Sequence, residues 1–285
     1  MPFGLPDSEQ KLTYGGYLRV DELLSLQQLR SDPAQHDETL FIVIHQVYEL
    51  WFKQLLHELD RLLQHLERDE VLGAKRLLDR CLEIQQVLVQ QLRVLETMTT
   101  MDFLTFRDHL MPASGFQSAQ FREVEFLSGL KDERFARFEL LNEGERERLR
   151  VRLARPSLRD AFFALCRRRG FAVPDGAGEA AEAARVQGLL PLYREAERHY
   201  DLFLLAEALV SYDENFLLWR YRHVQMVERV IGGVRGTGGS EGAGYLRSTM
   251  DRRFFPELWA LRTDLSARAV ASGDLPAGSA GGHLD

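Results

Sequence analysis

Cysteine is scarce in this chain. Only two occur among its 285 residues, Cys81 and Cys166, and their spacing does not match the paired cysteines of zinc sites. Two isolated cysteines in helical sequence contexts are typical of a reduced intracellular protein rather than of a disulfide-stabilised secreted domain. The sequence therefore predicts neither a disulfide framework nor a cysteine-based metal centre.

Long apolar runs are also missing. No stretch approaches the roughly 20 residues that a membrane-spanning helix needs, since Phe41–Ile44 is too short and Glu207 interrupts Leu202–Val210. The N-terminal sequence MPFGLPDSEQK carries acidic residues and no apolar core, unlike a secretory signal. We expect a soluble, cytoplasmic protein that has no membrane partner.

An excess of positive charge is absent as well. Lysine and arginine total 36 against 43 acidic residues, a formal net charge of −7, which argues against a general nucleic-acid-binding protein. No G-x-x-x-x-G-K-[ST] motif occurs, and the glycines between Gly232 and Gly244 do not match G-x-G-x-x-G. Nucleotide binding is therefore poorly supported.

What the chain does contain is helical periodicity almost throughout. From Leu40 to Leu66 the apolar residues recur in steps of three and four, which defines one face of a long helix. The preceding Pro33 and the acidic pair after it mark the start of that helix. We predict an all-α protein built on two or three long antiparallel helices. Further helices are predicted over Val71–Met98, Asp102–Leu110, Ala119–Gly129, Arg134–Leu141, Glu145–Leu153, Ser157–Arg169, Pro191–Ile231 and Phe255–Leu261.

The pattern indicates a single domain over residues 1–265. Pro191 is placed in the first turn of its long helix, where a missing N–H costs nothing. The glycine-rich segment Gly232–Gly244 is predicted to be a loop. Residues 266–285, rich in alanine, glycine and serine, are predicted to form a disordered tail.

Two histidines on apolar helical faces are the main candidates for chemistry. His45 follows Phe41 by one turn, and His223 follows Trp219 by one turn. Taken alone, each is better explained as a core histidine that is hydrogen-bonded to a backbone carbonyl. The functional alternative makes one imidazole an axial ligand of a haem iron and leaves the other to bind a ligand.

Other metal centres are excluded by spacing. A di-iron helical bundle requires Glu-x-x-His on facing helices, and no histidine here has a glutamate three residues before it. The pair His57-Glu58 lacks the second histidine that a His-Glu-x-x-His zinc site needs.

Arg107 is a candidate for anion binding because it follows Phe103 by one helical turn. A guanidinium beside aromatic rings can hold a carboxylate through two parallel hydrogen bonds. In isolation, an ion pair with Asp102 or Asp108 is the better explanation of this arginine.

Arg220 and Arg222 lie beside His223 and could meet the propionates of a haem, but an exposed cationic face explains them better. Thr237 lies in the glycine-rich loop. Such a loop can wrap closely over a ligand or serve as a mobile linker, and the sequence supports both equally.

Six sequence blocks cover most of the chain outside residues 131–198 and the tail. The blocks are LTYGGYL (Leu12–Leu18), HDETLFIVIHQVYELW (His36–Trp51), LETMTTMDFLTFRDHL (Leu95–Leu110), SGFQSAQFREVE (Ser114–Glu125), LWRYRHV (Leu218–Val224) and RGTGGSEG (Arg235–Gly242). In this order, they resemble the tryptophan 2,3-dioxygenase family.

The resemblance implies an all-helical enzyme with one haem b in each subunit of a homotetramer. Such an enzyme opens the indole ring of L-tryptophan with dioxygen to give N-formyl-L-kynurenine, the first step of the kynurenine pathway. By the same resemblance, His223 is the axial ligand of the haem iron, His45 is the catalytic residue that meets the indole N–H, and Phe41 packs on the indole.

The resemblance assigns the remaining site residues in three groups. Arg107 pairs with the substrate carboxylate, and Thr237 contacts the polar end of the amino acid. The N-terminal residues Tyr14, Tyr17 and Leu18 reach the site of a neighbouring subunit. A loop that contains Ser114 and Gly115 lines the haem pocket.

Two substrate-site positions depart from the family pattern. Phe103 stands where some members carry tyrosine, so one hydrogen bond to the carboxylate is expected to be missing. Ile44 stands where glutamine is also familiar. The alternatives are a related haem enzyme that acts on a substituted tryptophan or another indole, and a non-catalytic haem-binding helical protein.

Overall fold

The first long helix of the chain is α3, which runs over His36–Glu67. The computed structural model describes residues 12–232 and 243–272. Two short helices precede α3, α1 over Tyr14–Leu18 and α2 over Val20–Leu24, and the sequence periodicity did not predict them. The helix α3 starts one turn earlier than its apolar stripe because acidic residues in its first turn favour the positive end of the helix dipole.

The central element is α4, over Val71–Leu95, and both α3 and the long helix α10, over Tyr200–Ile231, pack along it. A short turn with Asp69 at a φ of 61° joins α3 to α4, so these two helices are antiparallel. Hydrogen bonds from Gln85 to Tyr212 O and from Thr100 to Arg229 O show that α10 runs in the same direction as α4. Consequently α3 and α10 lie on α4 with opposite directions.

The core follows the apolar stripes of these long helices. In α3 the leucines at positions 55, 59, 62 and 66 are fully buried, as the steps of three and four in the sequence predict. Fully burying one such side chain contributes about 1.5–3 kcal/mol. Both cysteines, Cys81 and Cys166, are free and are buried within helices.

Shorter helices surround this core, and several begin with side-chain caps. Reciprocal capping boxes form at Thr99, Asn142 and Ser157. The described residues contain no strand, which confirms the all-α class. The helices are α5 (Thr100–Phe106), α6 (Ala119–Ser128), α7 (Glu143–Ala154), α8 (Leu158–Arg168), α9 (Glu179–Arg194), α11 (Ala243–Arg247) and α12 (Pro256–Ser272).

Two segments differ from the predicted helices. Pro191 lies inside α9 rather than in the first turn of α10, which begins only at Tyr200. The apolar residues around Pro191 are buried, and this packing extends α9 through the proline. The segment predicted as a helix over Arg134–Leu141 is a short 3₁₀ helix, Glu133–Arg137.

At the C-terminal end, α12 continues to Ser272, so the first residues of the predicted tail are helical. The helix predicted over Phe255–Leu261 is therefore longer at its C-terminal end than the sequence pattern indicated. No helix in the described part of the chain is long and apolar enough to cross a membrane.

Candidate active site

A cavity of about 560 Å³ opens between α3 and α10. Its other walls come from the end of α4, from α5 with the 3₁₀ turn Arg107–Leu110, from the loop at residues 113–118, and from the first turns of α6. The volume is typical of sites for small molecules and cofactors. Most lining side chains are apolar, and a few polar groups interrupt them.

His45 lines this cavity from α3 and has a defined hydrogen-bonding state. Its Nδ1 lies 2.7 Å from the carbonyl oxygen of Phe41. Because a carbonyl only accepts, Nδ1 must carry the proton. Burial lowers the pKa of His45 despite the opposing effects of this hydrogen bond and of the charge on Glu49. The ring is therefore neutral near pH 7, and Nε2 is an unprotonated acceptor.

His223 lines the same cavity from α10. Burial lowers its pKa to about 4, and the neighbouring His45 contributes in the same direction. Its ring stacks on Trp219 with centroids 5.1 Å apart and an interplanar angle of 14°. Neither ring nitrogen has a hydrogen-bond partner among the described residues. His223 thus offers a neutral imidazole in an apolar setting.

Phe41 and Phe103 form an aromatic wall at the His45 side of the cavity, and the fully buried Phe106 packs behind them. The ring of Phe41 lies 5.8 Å from that of Phe103 and 5.7 Å from that of Phe106. The rings of Phe103 and Phe106 meet edge to face at 5.4 Å. Phe41 also lies 4.1 Å from the imidazole of His45. This wall suits a flat aromatic ligand that has one hydrogen-bond donor.

Arg107 lines the cavity from the first position of the 3₁₀ turn after α5. The carboxylate of Asp102, one of the two ion-pair partners that the sequence suggested, instead accepts hydrogen bonds from the backbone and hydroxyl of Thr99. Asp102 therefore serves as part of the α5 capping box.

The loop predicted to line the pocket does so through Ser114 and Gly115. The Ser114 hydroxyl accepts a hydrogen bond from Phe116 N at 3.3 Å. At the end of this loop, Ser118 caps α6 by accepting from Phe121 N at 3.1 Å. These caps position the loop over the cavity.

A buried ionic triad in the cavity wall was missed by the sequence analysis. Glu125 accepts from Arg122 at 2.6 Å and from Arg220 at 3.0 Å, and all three side chains are buried. Arg220 also donates to the carbonyls of Thr249 and Arg252. The prediction that Arg220 belongs to an exposed cationic face is wrong. Its position three residues before a histidine on the same helix face was the available signal.

The remaining predicted residues lie elsewhere. Ile44 is buried in the core and is not among the residues that line the cavity. Its backbone carbonyl accepts a hydrogen bond from the Gln91 side chain of α4 at 2.8 Å. Tyr14, Tyr17 and Leu18 in α1 are 80%, 71% and 45% exposed and lie outside the cavity. The predicted role of Thr237 falls at a position outside the described residues.

Comparison with known proteins decides the family. The sequence model of the tryptophan 2,3-dioxygenase family matches residues 4–169 and 177–265 of this chain. The chain belongs to the tryptophan 2,3-dioxygenase family. Similar proteins of that name include one from Nocardioides sp., 50% identical over 90% of this chain and 95% of its own length. Others are from Caulobacter vibrioides and Herpetosiphon aurantiacus, 46% and 47% identical over 90% of this chain and 99% of their lengths.

The cavity also fits the haem that the tryptophan 2,3-dioxygenase family implies. An axial imidazole must be neutral, must keep a nitrogen available, and must have apolar surroundings for the porphyrin. His223 meets the first two conditions, and the stacked Trp219 with neighbouring Val227 and Val230 meets the third. The residues present are therefore compatible with haem.

Proposed function

We propose that this chain is a haem-dependent dioxygenase that opens the indole ring of L-tryptophan between C2 and C3 to give N-formyl-L-kynurenine. Membership of the tryptophan 2,3-dioxygenase family supports this activity. The structural observation that carries it is the meeting of His45, His223 and Arg107 in one largely apolar cavity. These residues come from three separate elements of the chain.

In this proposal His223 holds one haem b per subunit through its neutral imidazole. When bound, the haem iron supplies the binding and activation of dioxygen, and the protein supplies the ligand, the polarity and the exclusion of water. Trp219 packs against one face of the His223 ring and limits its rotation. Ser114 and Gly115 form part of the haem pocket in the loop before α6.

The substrate would be held at both of its ends. The aromatic wall around Phe41 packs on the indole, and Nε2 of His45 accepts the indole N–H. Arg107 and Thr237 bind the amino-acid end, with the guanidinium on the carboxylate. Phe103 contributes an apolar surface but no hydrogen bond. Fixing the reacting atoms in this way can remove about 7–11 kcal/mol of the barrier.

His45 is assigned an orienting role rather than that of a base. The indole N–H is a very weak acid, and burial lowers the pKa of His45 further below its ordinary value. Such an imidazole accepts a hydrogen bond well and takes up a proton poorly. Its Nδ1–H bond to the carbonyl of Phe41 keeps Nε2 as the acceptor.

A homotetramer is part of the proposal. Tyr14, Tyr17 and Leu18 expose apolar surface that is not covered by residues 12–232 or 243–272. We assign this segment to the substrate site of a neighbouring subunit, as the family resemblance implies. Dilution to the monomer is then expected to lower activity.

The test is reconstitution of the purified protein with haem, followed by addition of L-tryptophan and ¹⁸O₂. The expected result is a Soret band that shifts with tryptophan and a product that carries two labelled oxygen atoms. Haem uptake without product would favour a non-catalytic haem protein. Turnover of another indole in preference to tryptophan would favour the related enzyme, and failure to bind haem would overturn the proposal.

A further inference from the structure

Glu49 is a second polar residue of α3 that faces the cavity, one helical turn after His45. Its Oε1 accepts the hydroxyl of Ser118 at 2.6 Å, and its Oε2 accepts the amide of Gln120 at 2.8 Å. The same amide donates to the backbone carbonyl of Glu49 at 2.9 Å. Both carboxylate oxygens are thus fixed by donors from outside α3.

The two donors connect Glu49 to the elements that shape the cavity. The Ser118 hydroxyl that donates to Glu49 also accepts from Phe121 N and caps α6. Gln120 lies in the first turn of that helix. The carboxylate therefore joins the turn of α3 that carries His45 to the end of the cavity loop.

Glu49 is also the carboxylate available to His45. Among the described residues that line the cavity the acidic side chains are Glu49 and Glu125, and Glu125 is engaged by Arg122 and Arg220. No arginine or lysine forms an ion pair with Glu49 in the described part of the chain. Its negative charge consequently acts on its surroundings without a neutralising partner.

The groups around His45 can be assigned from each neighbouring element. Glu49 on α3 carries a negative charge, and His223 on α10 is neutral. Arg107 comes from the 3₁₀ turn, and α6 and α10 supply the ionic triad defined above. Of these groups, Glu49 is the one whose charge raises the pKa of His45, in opposition to burial.

We propose that Glu49 is a positioning residue that acts through His45 to strengthen its hydrogen bond with the indole N–H. This inference rests on the proposed function. The negative charge increases the electron density that the imidazole offers at Nε2, and the bonds to Ser118 and Gln120 fix the distance at which the charge acts. Glu49 itself need not touch the substrate.

The sign of the effect follows from the two charge states of His45. Protonated His45 has no acceptor, so tryptophan binding is expected to weaken as pH falls through its pKa. Removing the charge of Glu49 lowers that pKa. The pH at which binding is half lost must then move downward, by about half a unit to one unit for a charge one helical turn away.

The experiment measures the dissociation constant of L-tryptophan by calorimetry on the haem-loaded protein between about pH 5 and about pH 8. Glu49→Gln is expected to move the midpoint downward and to weaken binding at neutral pH about two- to fivefold. Glu67→Gln is the matched control, since Glu67 is an exposed carboxylate at the end of the same helix. Glu49→Asp, which keeps the charge, should retain the wild-type midpoint.

Three results would overturn the inference. These are an unchanged midpoint in Glu49→Gln, an equal loss of affinity at every pH, and the same midpoint shift in Glu49→Asp. If the amide variant does not fold, Glu49→Ala carries the same expected shift. Absence of tryptophan binding by the wild-type protein would instead refute the proposed function, before any variant is compared.

Discussion

The Nδ1–H group of His45 donates to the carbonyl oxygen of Phe41, one turn earlier in the same helix, over 2.7 Å. This bond is the one that the structural explanation of His45 required, yet it also prepares the ring for function. It satisfies one nitrogen within the helix and leaves the other as an acceptor toward the cavity. The same hydrogen bond therefore serves both the stability of α3 and the proposed recognition of indole.

Replacing His45 tests whether it orients the substrate. His45→Ala should weaken L-tryptophan binding about two- to tenfold, the value of one neutral hydrogen bond, while turnover remains detectable. Calorimetry would measure the binding of L-tryptophan, and product formation would measure its turnover. The comparison ligand is 1-methyl-L-tryptophan, which has no indole N–H, so its affinity should change little when His45 is replaced. Abolished turnover with unchanged affinity would assign His45 the role of a base.

Arg107 is expected to bind the substrate carboxylate. Arg107→Leu should weaken L-tryptophan binding about tenfold to a hundredfold, because a charge-assisted hydrogen bond is lost. Arg107→Lys should recover part of the loss, since lysine keeps the charge but not the planar fork. Tryptamine, which lacks the carboxylate, is the matched ligand, and an equal loss for both ligands would contradict the assignment.

Loss of His223 should prevent stable haem binding. After reconstitution, His223→Ala is expected to show a much weaker Soret band per protein than the wild type, because no axial imidazole remains. His57→Ala provides the control, since His57 is exposed on α3. A normal Soret band in His223→Ala would show that another residue ligates the iron.

The phenylalanine at position 103 suggests a gain-of-affinity variant. Phe103→Tyr places a hydroxyl beside the aromatic wall, where it could donate to the substrate carboxylate. We expect L-tryptophan to bind about two- to tenfold more tightly, as measured by calorimetry. Weaker binding would mean that the buried hydroxyl finds no partner and costs free energy.

The ionic triad makes a prediction about stability. Arg220→Met should lower the free energy of unfolding by about 3 kcal/mol, because a buried ion pair and two hydrogen bonds to carbonyls are broken. Denaturant unfolding would measure the change. Arg222→Met is the control, since Arg222 is exposed and should change stability by less than about 0.5 kcal/mol. Equal effects would refute the structural role of the triad.

How far the sequence predicts the fold depends on the strength of each local pattern. The leucine stripe of α3 is regular over many turns, so its existence and inner face were predictable. Pro191 was misplaced because proline chemistry favours a first turn, whereas packing of its apolar neighbours keeps it within α9. The preference of proline for the first turn of a helix is overridden where the apolar residues on both sides of it are buried.

In the site, too, local sequence patterns predict some features and packing decides the others. Arg220 and Arg222 are nearly adjacent in sequence and chemically identical, so composition gave no reason to separate them. Helical spacing puts Arg220 on the same face as His223, and the packing of α10 then places it against Glu125 while Arg222 stays at the surface. Conversely, Ile44 adjoins His45 in sequence, but the rotation of the helix by about 100° per residue places Ile44 in the buried core and not in the cavity lining.

The sequence by itself determined the helical class and the identity of the two histidines, because apolar periodicity and residue type are local properties. It left open whether His45 and His223 ever meet. The tertiary structure decided this through α4, which is hydrogen-bonded to both helices. The Tyr48 hydroxyl of α3 donates to the Leu88 carbonyl of α4, and the Gln85 amide of α4 donates to the Tyr212 carbonyl of α10. These contacts fix the register of both helices against α4, and this register brings the two imidazoles into one cavity.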